Sequence, residues 1–220
     1  MRGLLCSLAA LLLAAACGEE GVHPTAAQRL EAGERLHIIA YGTSLTEFGA
    51  WLPALRQTLD QRFSGRATLS NRGRHGVGTR WGLEHLEERV IGERPDLVLI
   101  EFAINDAFEA VDVAPEESRA LLEQMVERIE TALPDCEIVL MTTNPTTGGY
   151  ARRELAPYYQ AVRDVARQRG LVLVDTEPAW RELFERDRAT FDVYLPDGTH
   201  PSPKGDAAIT TPRIHAALGL

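Results

Sequence analysis

The chain has little cysteine, little basic charge and no apolar run long enough to cross a membrane. Its 220 residues hold 3 cysteines, and 23 Lys and Arg against 32 Asp and Glu. Three cysteines exclude a disulfide framework, and none stands beside His at the spacing of a zinc site. A formal net charge of -9 is the opposite of the basic stripe that a nucleic-acid binder displays, so no nucleic-acid partner is expected. The apolar run from Leu4 to Ala16 is too short to span a bilayer. There is no internal repeat and no low-complexity block. At this length one well-buried domain is expected, not two large ones.

What is present begins with that apolar run. Arg2 gives it a positive start, and it ends in small residues before Cys17, the layout of a secretory signal to be set aside from the fold. Leu13-Ala14-Ala15-Ala16-Cys17-Gly18 also resembles a bacterial lipobox, with Ala14 where the pattern has Leu. The resemblance implies cleavage before Cys17 and lipidation of Cys17. The protein would then be exported and held at the cell envelope through a lipid anchor; without the anchor it would be periplasmic or secreted. Residues 18–33 read as a flexible tether, which leaves 34–220 as the folded domain. Cys136, the leftover thiol, starts an apolar run and is expected inside.

From residue 35 strands and helices alternate. The strands are predicted at 36–41, 67–71, 96–102, 137–141 and 171–175. The run Leu97-Val98-Leu99-Ile100 is continuously apolar, as in a strand covered on both faces. Helical spacing is found over about 47–63, 80–91, 115–129, 151–169, 179–185 and 204–218. Pro115 opens one helix and Gly170 stops another. This alternation predicts an α/β fold: a three-layer, flavodoxin-like, doubly wound parallel sheet of about five strands with helices on both faces.

The residues with chemical potential fall just past strand ends. Gly42-Thr43-Ser44 follows the first strand. Asn71, Gly73, Gly76 and Gly78 follow the second, and Asn105-Asp106 the third. Asp197 and His200 come after the fifth. All would share the carboxyl edge of the sheet, where open α/β sheets hold their ligands. A serine hydroxyl becomes a nucleophile when a base takes its proton. His200 is the candidate base, and Asp197 can hold its imidazole in one tautomer. The Ser44 amide, a glycine amide from the 73–78 turn and the Asn105 side-chain amide are candidate donors to an oxyanion.

With those residues placed, the sequence resembles the GDSL or SGNH hydrolase superfamily over about residues 35–216. The usual Gly-Asp-Ser-Leu is Gly42-Thr43-Ser44-Leu45. The Asn-x-Gly-x-x-Gly form runs from Asn71 through Gly73 to Gly76. Gly-x-Asn-Asp appears as Ala103-Ile104-Asn105-Asp106, and Asp-x-x-His-Pro as Asp197 to Pro201. The resemblance implies a triad of Ser44, His200 and Asp197. It implies an oxyanion hole from Ser44, Gly76 and Asn105, with Gly78 as a competing donor. It implies no cofactor and no metal. Thr43 departs from the usual Asp, so hydrogen bonds around the serine must differ. Ala103 departs from the usual Gly and would narrow the acyl site if its methyl points there.

The expected function is a serine esterase that works through an acyl-enzyme on Ser44, leaning to short acyl groups on a sugar or similar alcohol because no long acyl-binding insertion is present. Two alternatives stand beside it. One is a lysophospholipase or thioesterase acting on longer chains, which a membrane anchor would suit. The other is a non-catalytic, flavodoxin-like ligand-binding lipoprotein, which gives Asp197 and His200 no task. His75 and the segment Asn144–Thr147 are further candidates for the pocket, and Trp81 and Tyr150 for its wall.

Overall fold

A computed structural model describes residues 24–148 and 153–220. The stretch read as a signal, Cys17 and Tyr150 lie outside those residues. Five strands make one parallel sheet in the order β2-β1-β3-β4-β5: β1 Leu36–Gly42, β2 Ala67–Asn71, β3 Leu97–Glu101, β4 Glu137–Thr142 and β5 Val172–Asp175. This is the flavodoxin-like order, and it puts β1 beside β3 at the switch point. Gly42 pairs with Glu101 at the carboxyl end of that pair.

Alternate residues of the strands feed two cores, because successive side chains point to opposite faces. Ile38, Ala40, Leu97, Leu99 and Val139 meet α1 (Ala26–Glu31), α3 (Trp51–Phe63) and α12 (Thr211–Leu218). Ile39, Tyr41, Val98, Ile100 and Leu140 meet four other helices. These are α4 (Thr79–Glu84), α5 (Leu86–Arg89), α7 (Pro115–Ala132) and α8 (Ala156–Arg169). Short helices α2 (Ser44–Glu47) and α6 (Ala103–Asp106) cap the ends of β1 and β3. A satellite cluster of Trp180, Leu183, Phe191, Leu195 and Ile209 joins α9 (Glu177–Arg186), α10 (Arg188–Tyr194) and the π-turn Asp206–Thr210. That turn lies between α11 (Pro203–Gly205) and α12.

Two expectations are corrected. The segment read as a tether, 18–33, is helical over 26–31: α1 opens on a capping box formed by Thr25 and Gln28. Leu30 is fully buried, which contributes about 1.5–3 kcal/mol on burial grounds. The helix predicted over 47–63 is broken at Phe48–Ala50, where the Asp206 carboxylate receives the Ala50 and Trp51 amides at 2.8 and 3.2 Å and starts a new helix.

Candidate active site

Ser44 sits at the first position of α2, directly after β1, with Thr43 as the cap whose hydroxyl accepts from the Leu45 amide. An amide at this helical position has no partner within the helix, so the Ser44 N–H is free to serve a ligand. The Ser44 hydroxyl lies 2.9 Å from His200 Nε2. His200 Nδ1 lies 2.7 Å from Asp197 Oδ2. An ionised carboxylate only accepts, which assigns the ring proton to Nδ1 and leaves the Nε2 lone pair facing the serine. Asp197 Oδ1 also accepts the Thr199 and His200 amides, at 2.8 and 2.6 Å. Partial desolvation pushes the Asp197 carboxyl up, but the donors from His200 and Thr199 outweigh it and hold it below the usual carboxylate range.

These groups open into a cleft of about 480 Å³ lined in part by Ser44, Gly76, Asn105, Phe108 and His200. Asn105 is buried on α6. Its side-chain amide donates to the Val77 carbonyl at 2.9 Å. That bond fixes the amide plane and leaves its second hydrogen for the cleft. Gly76 has φ +72 and space around its α-carbon, a backbone that only glycine adopts without strain. Gly78 is not on the cleft: a side chain there would run into Asp106 Oδ1. Of the two candidate glycines, Gly76 is the one that faces the cleft.

The elements around the site are tied to one another. Asn71 donates to the Glu47 carbonyl at 3.0 Å and accepts the Gly73 amide at 2.9 Å, joining the first and second loops. Asn144 donates to the Thr199 carbonyl at 2.8 Å, and Gly198 accepts the Thr147 amide at 2.8 Å. The 144–147 segment, a candidate for substrate contact, thus supports the histidine loop and is absent from the cleft lining. Asp206 does the same for the start of α3, and burial pushes its carboxyl up to about 6. Sequence reading gave no role to Asn144 as an anchor or to Asp206, since a helix-start acceptor from a distant loop has no local pattern.

Residues 39–208 match the GDSL-like Lipase/Acylhydrolase family. This chain belongs to that family. Among similar proteins, the isoamyl acetate-hydrolyzing esterase 1 homolog of Rattus norvegicus is 27% identical, covering 77% of this chain and 76% of the rat protein. The acetylxylan esterase of Geobacillus stearothermophilus is 28% identical over 76% of this chain and 78% of its own. A crystal structure of an acetylxylan esterase from Geobacillus stearothermophilus superposes with a TM-score of 0.73 at 22% identity. It covers 85% of this chain and 95% of the other, and shares the fold. The chain is therefore a serine ester hydrolase.

Against the family pattern, the Ala103 methyl does not narrow the cleft, because Ala103 is packed in the core with Ile100 and Phe102. His75 does line the cleft. Its ring stacks on Phe48 at 5.8 Å and is held by Glu47 Oε2 at 2.7 Å. Trp81 lies away from the cleft, stacked on His85 and over the core at Tyr41.

Proposed function

We propose that this acylhydrolase cleaves short-chain carboxylic esters through an acyl-enzyme on Ser44, with His200 as the base and Asp197 as its orienting acid. One observation carries the assignment: the continuous chain of contacts from Ser44 through His200 to Asp197 at a cleft that also holds Gly76 and Asn105. In the first half-reaction Ser44 Oγ attacks the ester carbonyl carbon while Nε2 takes its proton. The oxyanion sits among the Ser44 and Gly76 amides and the Asn105 side chain. The carbon–oxygen bond to the alcohol breaks, and the imidazolium returns its proton to the leaving oxygen. Water repeats the sequence and releases the acid. No step needs a cofactor.

The short acyl preference draws on two supports. The relatives above are named for isoamyl acetate and acetylxylan, esters that share the acetyl group and differ in the alcohol. The cleft wall carries Leu45, Phe108 and Pro201, enough apolar surface for a small acyl group. The alcohol is a carbohydrate or a similarly small polyol in this reading. The assay is hydrolysis of p-nitrophenyl acetate, butyrate and octanoate beside Ser44→Ala. Activity should fall on the order of 10⁴–10⁶-fold in the variant, with acetate cleaved fastest. Equal rates in the variant would remove Ser44, and a preference for octanoate would remove the short-acyl reading.

The N-terminal segment supports a second proposal, on sequence alone. Residues 1–17 export the chain, and Cys17 carries the lipid that holds it at the envelope. Lipid labelling that persists in Cys17→Ser would overturn it.

A further inference from the structure

The departure at Thr43 has a counterpart elsewhere in the fold. Glu101, the last residue of β3, is buried at 3% exposure beneath the Ser44 turn. Its Oε1 accepts the Thr43 amide at 2.7 Å, the Thr46 hydroxyl at 2.7 Å and the Thr43 hydroxyl at 3.0 Å. Oε2 shares the Thr43 hydroxyl at 3.1 Å. That same Thr43 oxygen accepts the Leu45 amide at 3.2 Å. The peptides on both sides of Ser44 are thus referred to one carboxylate. Gly42, the strand partner of Glu101, makes this approach possible: a side chain there would run into Glu101 Oε1 and Thr46 Oγ1.

We propose that Glu101 is a positioning residue for the nucleophile: with Gly42, Thr43 and Thr46 it forms a carboxylate clamp that orients the Ser44 hydroxyl and amide. Where the usual block places an acid directly before the serine, this chain places donors there and supplies the acid from the neighbouring strand. The inference rests on Ser44 being the nucleophile, and it adds a residue that never touches substrate.

Burial supports a specific function for the clamp. Desolvation raises the Glu101 carboxyl, outweighs the donors from Thr46 and Thr43, which lower it, and leaves it up at about 7. A carboxylate under nearly complete burial is costly unless its oxygens are satisfied. The three donors of the Ser44 turn are therefore held firmly to it, and the turn is held with them.

The test is a double-mutant cycle read as kcat per active site, with sites counted by complete reaction with a fluorophosphonate ester. That count separates misfolded or absent sites from misaligned ones, and its absence in Ser44→Ala tests the underlying nucleophile assignment independently. Glu101→Gln should lower kcat per site by about 10- to 100-fold with KM within about threefold, because alignment is lost and ground-state binding is not. Thr43→Asp alone, which sets two carboxylates against each other, should lose at least as much. Combining the two moves the acid to the turn and the donor to the strand, and should regain at least about tenfold over Thr43→Asp. Losses that simply multiply in the double variant, or a Glu101→Gln kcat per site within twofold of the parent, would overturn the proposal. Should Glu101→Gln fail to fold, Thr46→Val removes a single donor. It should lower kcat per site by roughly three- to tenfold at constant KM; an unchanged kcat would overturn the clamp.

Discussion

The two sides of the candidate site are built in contrasting ways. The serine side grows directly from the sheet: β1 ends, Gly42 lets Glu101 approach, and Ser44 opens a helix whose neighbours Thr43 and Thr46 are buried. The histidine side is a loop at the surface, with half-exposed Asp197 and His200, held by Asn144 and Thr147 from the loop after β4. Their carboxylates differ accordingly. Glu101 and Asp206 are pushed up by burial, whereas Asp197 is held down by its donors. A nucleophile needs a fixed position, which a sheet provides. A base that must take and return a proton is served by an acid kept ionised, which a hydrated loop rich in amides provides.

The largest effect that would sharpen this contrast is on the loop. Asp197→Asn removes the charge that assigns the His200 tautomer. It should lower kcat on the order of 10³-fold, somewhat less than the about 10⁴ for a buried acid, because water can partly replace an exposed carboxylate. Melting temperature should stay close to the parent. A large loss of stability instead would mean that the loop is as structural as the turn, and would break the contrast.

A smaller effect is expected on the buried side. Asp206 has a folded pKa of about 6, raised from 3.8. The folded state therefore binds its proton more tightly than the unfolded chain. Stability from this group is full below about pH 4, declines as pH rises, and is lost above about 6. Asp206→Asn removes the dependence. The stability of the variant relative to the parent should rise between pH 4 and 7 by about 1–3 kcal/mol and then level off. Denaturant midpoints at pH 4, 5.5, 7 and 8 give the curve, and a difference that is flat over that range would show that Asp206 is not a strained buried acid.

Much of this was legible in the sequence. Each strand was readable to within a residue or so: the inner strands β1, β3 and β4 as the apolar runs of a parallel sheet covered on both faces, the edge strand β2 as a short, half-polar segment set before a glycine-rich turn. The carboxyl-edge positions of Ser44, Asn105 and His200 followed from that alternation. What escaped reading is instructive. α1 is short and holds only Ala26, Ala27 and Leu30 as its buried face, too little for a periodic pattern; its one signal was the Thr25-x-x-Gln28 capping box. The helix α10 is brief and buries only Phe191, too little to mark it off from a loop. Glu101 looked like the polar end of a strand. Only pairing with Gly42 reveals its role, and pairing is a property of the sheet, not of any window of sequence.

The position of α1 has one more consequence. Leu30 offers its carbonyl to Arg66, ahead of β2, and Arg29 meets Asp96, ahead of β3. Thr25 lies against Gly219 at the far end of α12. The chain thus enters the domain at the amino edge of the sheet, with Ser44 and His200 at the opposite edge. A segment that precedes residue 24 therefore meets the domain on the side away from the cleft, where its covalent attachment leaves the approach to Ser44 unobstructed.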